Sequence, residues 1–158
     1  MVMDDTAQPE EKKIIIVEDN ASLAEIYKTR LELIGYTCFV AYNGVTALYF
    51  IQKEQPDLVL LDLMIPDLSG VQVLGTMRAC DWGKNIPVYV VSNLNESDAD
   101  PRLRSLGIAG YSVKATMVDD TIDKIVDSIL RPAASQSNKS DNGADGAAVP
   151  AMPNEPSV

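Results

Sequence analysis

Apolar residues fall into two alternating rhythms along this chain. Lys13–Val17 (KIIIV), Thr37–Ala41 (TCFVA), residues 58–62 (LVLLD), Val88–Ser92 (VYVVS) and residues 109–113 (AGYSV) are short, nearly continuous apolar runs. Such runs suit strands covered on both faces. Between them the spacing changes to that of helices. Asn20 stands where an N-cap belongs, Leu23, Ile26, Tyr27, Leu31 and Ile34 follow on one face, and Gly35 supplies a stop. A second helix starts at Asn43 or Gly44 and runs through Ala47, Leu48 and Ile51 to Lys53; a third covers residues 71–80. A polar stretch and a short helix precede the fifth strand, and a last helix over 116–130 repeats Ile122, Ile125, Val126 and Ile129 on one face.

Five strand–helix units with short connections predict an α/β fold: a doubly wound parallel sheet with helices on both faces. Residues 12–131 read as one domain, with a flexible N-terminus over 1–11. Residues 132–158, rich in Pro, Ala, Ser, Asn, Asp and Gly, carry almost no large apolar side chains and read as a disordered tail.

Composition narrows the function. The net charge is −10 and there is no basic cluster, so direct nucleic-acid binding is not expected. No apolar run approaches the ~20 residues of a membrane helix, and the polar N-terminus has no signal-peptide core. A cytoplasmic protein is the expectation. The sequence contains no histidine, which excludes Ser-His-Asp and Cys-His hydrolases, His-ligated zinc and a phosphohistidine donor. Cys38 and Cys80 form no metal-ligand spacing and read as small buried hydrophobes.

The chemistry gathers at strand ends. The first strand leads into Glu18 and Asp19, the third ends on Asp62, the fourth on Ser92, and the fifth leads to Lys114. In a parallel sheet these groups meet at the carboxyl edge, where open α/β sheets bind ligands. VEDN (17–20), LLDLMIPDLSG (60–70), VVSN (90–93) and GYSVK (110–114), in this order, resemble the response-regulator receiver domain of two-component signalling. Asp19, Asp62, Ser92 and Lys114 are separated by 43, 30 and 22 residues, as in that family.

The resemblance implies a flavodoxin-like (βα)5 sheet in the order 2-1-3-4-5. It implies a single-domain response regulator rather than an enzyme, with Asp62 accepting a phosphoryl group from a sensor histidine kinase or a histidine phosphotransfer protein. Glu18, Asp19, Asp62 and the backbone carbonyl of Met64 would hold Mg²⁺, a hard cation that prefers oxygen. Ser92 and Lys114 would neutralise the transferred charge. Ser92 and Tyr111 would relay the switch to a face made by the fourth helix, fifth strand and fifth helix, which binds a downstream protein; monomer and phosphorylation-dependent dimer are both compatible.

Several positions depart from the family pattern. Ala115 follows Lys114 where proline after a cis bond is usual. Pro101 requires the fourth helix to start late, with Asp100 as its cap. Asn93 replaces a small residue and would restrict access to the phosphate. Met64 and Leu94 stand at positions that tune phosphate lifetime; both are apolar and cannot orient an attacking water. A receiver cut from a larger hybrid kinase or regulator is an alternative, as is a receiver that only binds proteins. A haloacid-dehalogenase-type phosphatase would need a second Asp where Met64 stands.

Overall fold

The alternation of side chains along a strand explains the fold's two cores. Ile14 and Ile16 of the first strand, with Leu58 and Leu60 of the third, face a core shared with Tyr27, Leu31, Ile122 and Val126. Ile15, Val17, Val59 and Leu61 face the opposite side and pack with Ala47, Ile51, Val73, Leu74 and Met77. A strand apolar at every position is therefore one whose successive residues fill opposite cores.

The computed structural model of the protein describes residues 10–132. The flexible N-terminus and disordered tail expected from sequence lie almost wholly outside the described residues. The elements run β1 (Lys13–Val17), α1 (Ala21–Leu33), β2 (Thr37–Ala41), α2 (Gly44–Glu54), β3 (Leu58–Leu61), α3 (Gly70–Ala79), β4 (Val88–Ser92), α4 (Arg102–Leu106), β5 (Gly110–Val113) and α5 (Thr121–Leu130). All pairings are parallel and the sheet order is β2-β1-β3-β4-β5, the flavodoxin-like arrangement expected. Among the described residues no helix is long and apolar enough to cross a membrane.

Helix starts follow local chemistry. Asn20 Oδ1 accepts from the Leu23 N–H at 3.1 Å, and Asn43 Oδ1 from the Thr46 N–H at 2.8 Å, so Asn43 is the cap and Gly44 opens α2. Ser69 and Gln72 form a reciprocal capping box, which places the start of α3 at Gly70, one residue before the expected boundary. The fourth helix starts late, as expected, and is only five residues long, but its N-cap position is Pro101 and not Asp100: Pro101 already has helical backbone angles, and Asp100 Oδ1 accepts the Arg102 N–H at 2.9 Å from one residue further out.

Two boundaries differ more. β5 begins at Gly110 rather than at residue 109. The last helix starts at Thr121, not at 116: a 3-10 turn over Lys114–Thr116 comes first, with Thr116 Oγ1 donating to the Val113 carbonyl. The Val118 N–H then donates to Thr121 Oγ1 at 3.0 Å, a side-chain bond that competes with helix. Cys38 is buried, and burial pushes its thiol up to about 12; Cys80 is half-buried at the end of α3.

Candidate functional site

Two ladder bonds continue past the strands and fix the backbone of the acids. The Glu18 N–H donates to the Ala41 carbonyl at 3.0 Å, and the Asp62 N–H to the Val17 carbonyl at 3.0 Å. Both residues are therefore held by the sheet although β3 itself ends at Leu61. Gly70 adds a constraint not expected from the sequence: its N–H donates to the Leu63 carbonyl, and a Cβ there would collide with the Asp62 carbonyl oxygen. A glycine at the start of α3 lets that helix close against the backbone of Asp62. The signal available was the Ser69-Gly70 pair at a helix start.

Glu18 and Asp62 are 2% and 4% exposed, and Asp19 beside them is exposed. Lys114 Nζ donates to Asp62 Oδ2 at 2.7 Å and lies 2.5 Å from Glu18 Oε2. The remaining oxygens are also held: the Asn20 N–H donates to Glu18 Oε1 and the Met64 N–H to Asp62 Oδ1, each at 3.1 Å. Glu18, Asp19 and Asp62 each offer an oxygen within 4.8 Å of the others.

Burial pushes the Glu18 carboxyl above its ordinary value, against the opposing bonds from Lys114 and Asn20. For Lys114 burial acts to lower the ammonium, but its hydrogen bonds to Asp62 and Glu18 outweigh this and leave it raised. The lysine is thus a fixed cation among buried acids.

These groups open into a cleft of about 720 Å³ between the carboxyl edge, α1 and the start of α5, which Asn93, Met64 and Ala115 also line. The Lys114–Ala115 peptide is trans. Ser92, at the end of β4, is fully buried and accepts a long bond (3.4 Å) from the Leu94 N–H. It is the neighbouring Asn93 that faces the cleft. Tyr111 is half-buried and donates its hydroxyl to the Leu94 carbonyl at 2.8 Å. Burial pushes its phenol up, and the Ser92 hydroxyl beside it opposes the shift. Ser92, Leu94 and Tyr111 therefore form one contact behind the acids. Met64 is 59% exposed at the cleft rim.

The fold and this group of acids and lysine agree with the family assignment: the chain belongs to the response regulator receiver domain family, whose model matches residues 14–126. It is a receiver domain of two-component signalling. Among its relatives, sporulation initiation phosphotransferase F of Bacillus subtilis is 33% identical over 114 residues, covering 72% of this chain and 90% of that protein. The ycf27 protein of Porphyra purpurea, described as a probable transcriptional regulator, is 34% identical over 124 residues, 78% of this chain; the chain spans 49% of its length. The Mn²⁺-bound form of the response regulator Rcp1 is similar in structure, with a TM-score of 0.62 at 27% identity, covering 74% of this chain and 92% of that one.

Proposed function

We propose that the chain is a phosphoacceptor switch in which Asp62 takes a phosphoryl group from the phosphohistidine of a sensor histidine kinase or a histidine phosphotransfer protein. The observation that carries this reading is the Lys114 ammonium bridging Glu18 and Asp62, with Asp19 completing the acid group. Three carboxylates and one lysine at a cleft-facing sheet edge suit the handling of a phosphoryl group. A structural ion pair needs only one acid per cation.

In the proposed step an Asp62 carboxylate oxygen attacks phosphorus in line. The new O–P bond forms as the P–N bond to the donor imidazole breaks, and the imidazole leaves with the electron pair. Catalysis of such a transfer is mostly positioning and charge neutralisation. Lys114, already 2.7 Å from Asp62 Oδ2, turns its ammonium to the phosphoryl oxygens. Glu18, Asp19 and Asp62 fit Mg²⁺ as a set of hard oxygen donors, which the Met64 carbonyl would complete; that the response regulator Rcp1 has an Mn²⁺-bound form supports a divalent ion. When bound, the ion would supply positive charge to offset that of the acids and the incoming phosphoryl group.

Ser92 and Tyr111 carry the response. A phosphoryl group at Asp62 offers acceptor oxygens to the Ser92 hydroxyl, and movement of Ser92 disturbs the Leu94 segment that Tyr111 holds. The α4–β5–α5 face would then change its affinity for a downstream protein by population shift. The functional unit is taken as residues 12–131.

Incubation with Mg²⁺ and a small phosphodonor, followed by intact-mass measurement, tests the reading. One added phosphoryl group, absent in Asp62→Ala, is expected. No adduct from either a small donor or a cognate kinase, or an adduct that survives Asp62→Ala, overturns it.

A further inference from the structure

The loop between Asp62 and α3 is held at its base, at its start and at its tip. At the base the Gly70 N–H donates to the Leu63 carbonyl at 2.9 Å. At the start the Met64 N–H holds the Asp62 carboxylate by Oδ1. At the tip the tie comes from α2, where the Gly44 N–H donates to the Pro66 carbonyl at 3.2 Å. Gly44 opens α2, so its N–H is one of the donors that a helix leaves unpaired at its start. Asn43 Oδ1 caps the Thr46 N–H and leaves that of Gly44 to the loop.

Gly44 is buried and meets the loop without a side chain. A Cβ there would lie 2.6 Å from Leu68 Cβ and 2.7 Å from the Leu68 carbonyl oxygen. Backbone cannot swing aside as a flexible side chain does, so α2 or the loop would have to move. Ala47 and Ile51 anchor α2 in the core with no exposed surface, which leaves the loop to give way. Its base cannot absorb the shift, because Gly70 closes on the Asp62 carbonyl with no room for a Cβ. Asp67, at the exposed tip, has a left-handed φ of 69°, which a non-glycine residue keeps only where its surroundings impose it. A push at Leu68 therefore passes along the loop to Met64 and the carboxylate that it holds.

We propose that Gly44 is a positioning residue for Asp62: its N–H and its missing side chain set the 63–69 loop, and the loop sets the carboxylate through the Met64 N–H. The inference rests on the phosphoacceptor reading and adds to it a residue from α2. A glycine that served packing alone would cost stability when replaced and leave Asp62 unmoved.

The test compares Gly44→Ala with Gly75→Ala. Gly75 lies inside α3 with nothing within 4 Å of where a Cβ would stand. Its alanine variant should leave the site alone and raise the thermal midpoint by about 2–5 °C. In Gly44→Ala the Asp62 carboxyl signal, followed by nuclear magnetic resonance in aspartate-labelled protein without Mg²⁺, should shift. Mg²⁺ affinity and phosphoryl uptake from a small donor should each fall about three- to tenfold, the range expected for one hydrogen bond. An Asp62 signal at its wild-type position overturns the proposal, as does a shifted signal with unchanged uptake or an equal shift in Gly75→Ala. If Gly44→Ala does not fold, Leu68→Ala takes its place. It removes the side chain that packs the same loop on the core, with the same expected and overturning results. If the wild-type chain takes up no phosphoryl group, the phosphoacceptor reading fails on its own. The Asp62 signal then still decides whether Gly44 sets that carboxylate.

Discussion

Lys114 Nζ donates to Asp62 Oδ2 at 2.7 Å while the Met64 N–H holds Oδ1 at 3.1 Å, so both oxygens of the proposed nucleophile are engaged at rest. An incoming phosphoryl group must take over the lysine rather than find it free. The same contact neutralises Glu18, 2.5 Å away on the other side of the ammonium.

Replacing Lys114 by Met leaves two buried carboxylates without their cation. Breaking a fully enclosed pair costs about 3–5 kcal/mol, and this cleft is open to water, so a loss of about 1–3 kcal/mol is expected in metal-free solution. Urea unfolding with and without Mg²⁺ checks this: the deficit should shrink when Mg²⁺ is added, because a second cation compensates the same acids. An equal deficit in both conditions would count against a shared site.

Glu18 gives a pH signature. Its folded value is raised above 4.5, chiefly by burial. A raised carboxyl supports folding fully below its unfolded value, and that support is lost as pH climbs through the folded value. Above that window the buried charge opposes folding. Glu18→Gln should therefore be more stable than wild type at neutral pH, with the advantage gone below about 4.5, and should lose Mg²⁺-dependent stabilisation. Thermal melts across pH 3–8 with and without Mg²⁺ measure both effects.

Met64 is exposed at the cleft rim and cannot hydrogen-bond an attacking water through its side chain. A slow hydrolysis of the acyl phosphate is expected. Met64→Asn and Leu94→Glu each add a polar group able to orient water and should shorten the phosphate lifetime. Decay followed by intact mass checks this, and variants that lose phosphate no faster than wild type contradict it.

Arg78 fixes the end of α4. Its guanidinium donates to the carbonyls of Gly83, Ile86, Leu106 and Gly107 at 2.8–2.9 Å, joining α3, the loop before β4 and the short α4. Arg78→Met leaves these acceptors to water and should cost about 2–4 kcal/mol in chemical unfolding. Faster amide exchange at α4 than at α1 would accompany it.

The strands were legible because a sheet covered on both faces writes itself as apolar runs, three of which end in or lead into a polar residue that is nonetheless buried at the carboxyl edge (Glu18, Asp62 and Ser92). Lys13–Val17, Thr37–Ala41 and Val88–Ser92 have their expected bounds for that reason. The start of α5 was not legible, because the Val118–Thr121 side-chain bond replaces a helical turn that the composition allows. At the site, the strand-end positions of Glu18, Asp62 and Lys114 could be read, whereas the bridging of both acids by one ammonium depends on tertiary distance. Ser92 was placed at the correct strand end, but its complete burial behind Asn93 follows from how β4 meets β5. Arg78 had a weaker signal: it is the only charged residue in α3.

The measurement that bears most directly on the central claim is identification of the phosphorylated residue. The chain is phosphorylated by a histidine kinase in the presence of Mg²⁺, reduced with borohydride, which converts an aspartyl phosphate to homoserine, and mapped by peptide mass spectrometry. Homoserine at position 62, and at no other acidic position, is the predicted result. Conversion at Glu18 or Asp19, or none at position 62 in a chain that carries phosphate, would contradict it.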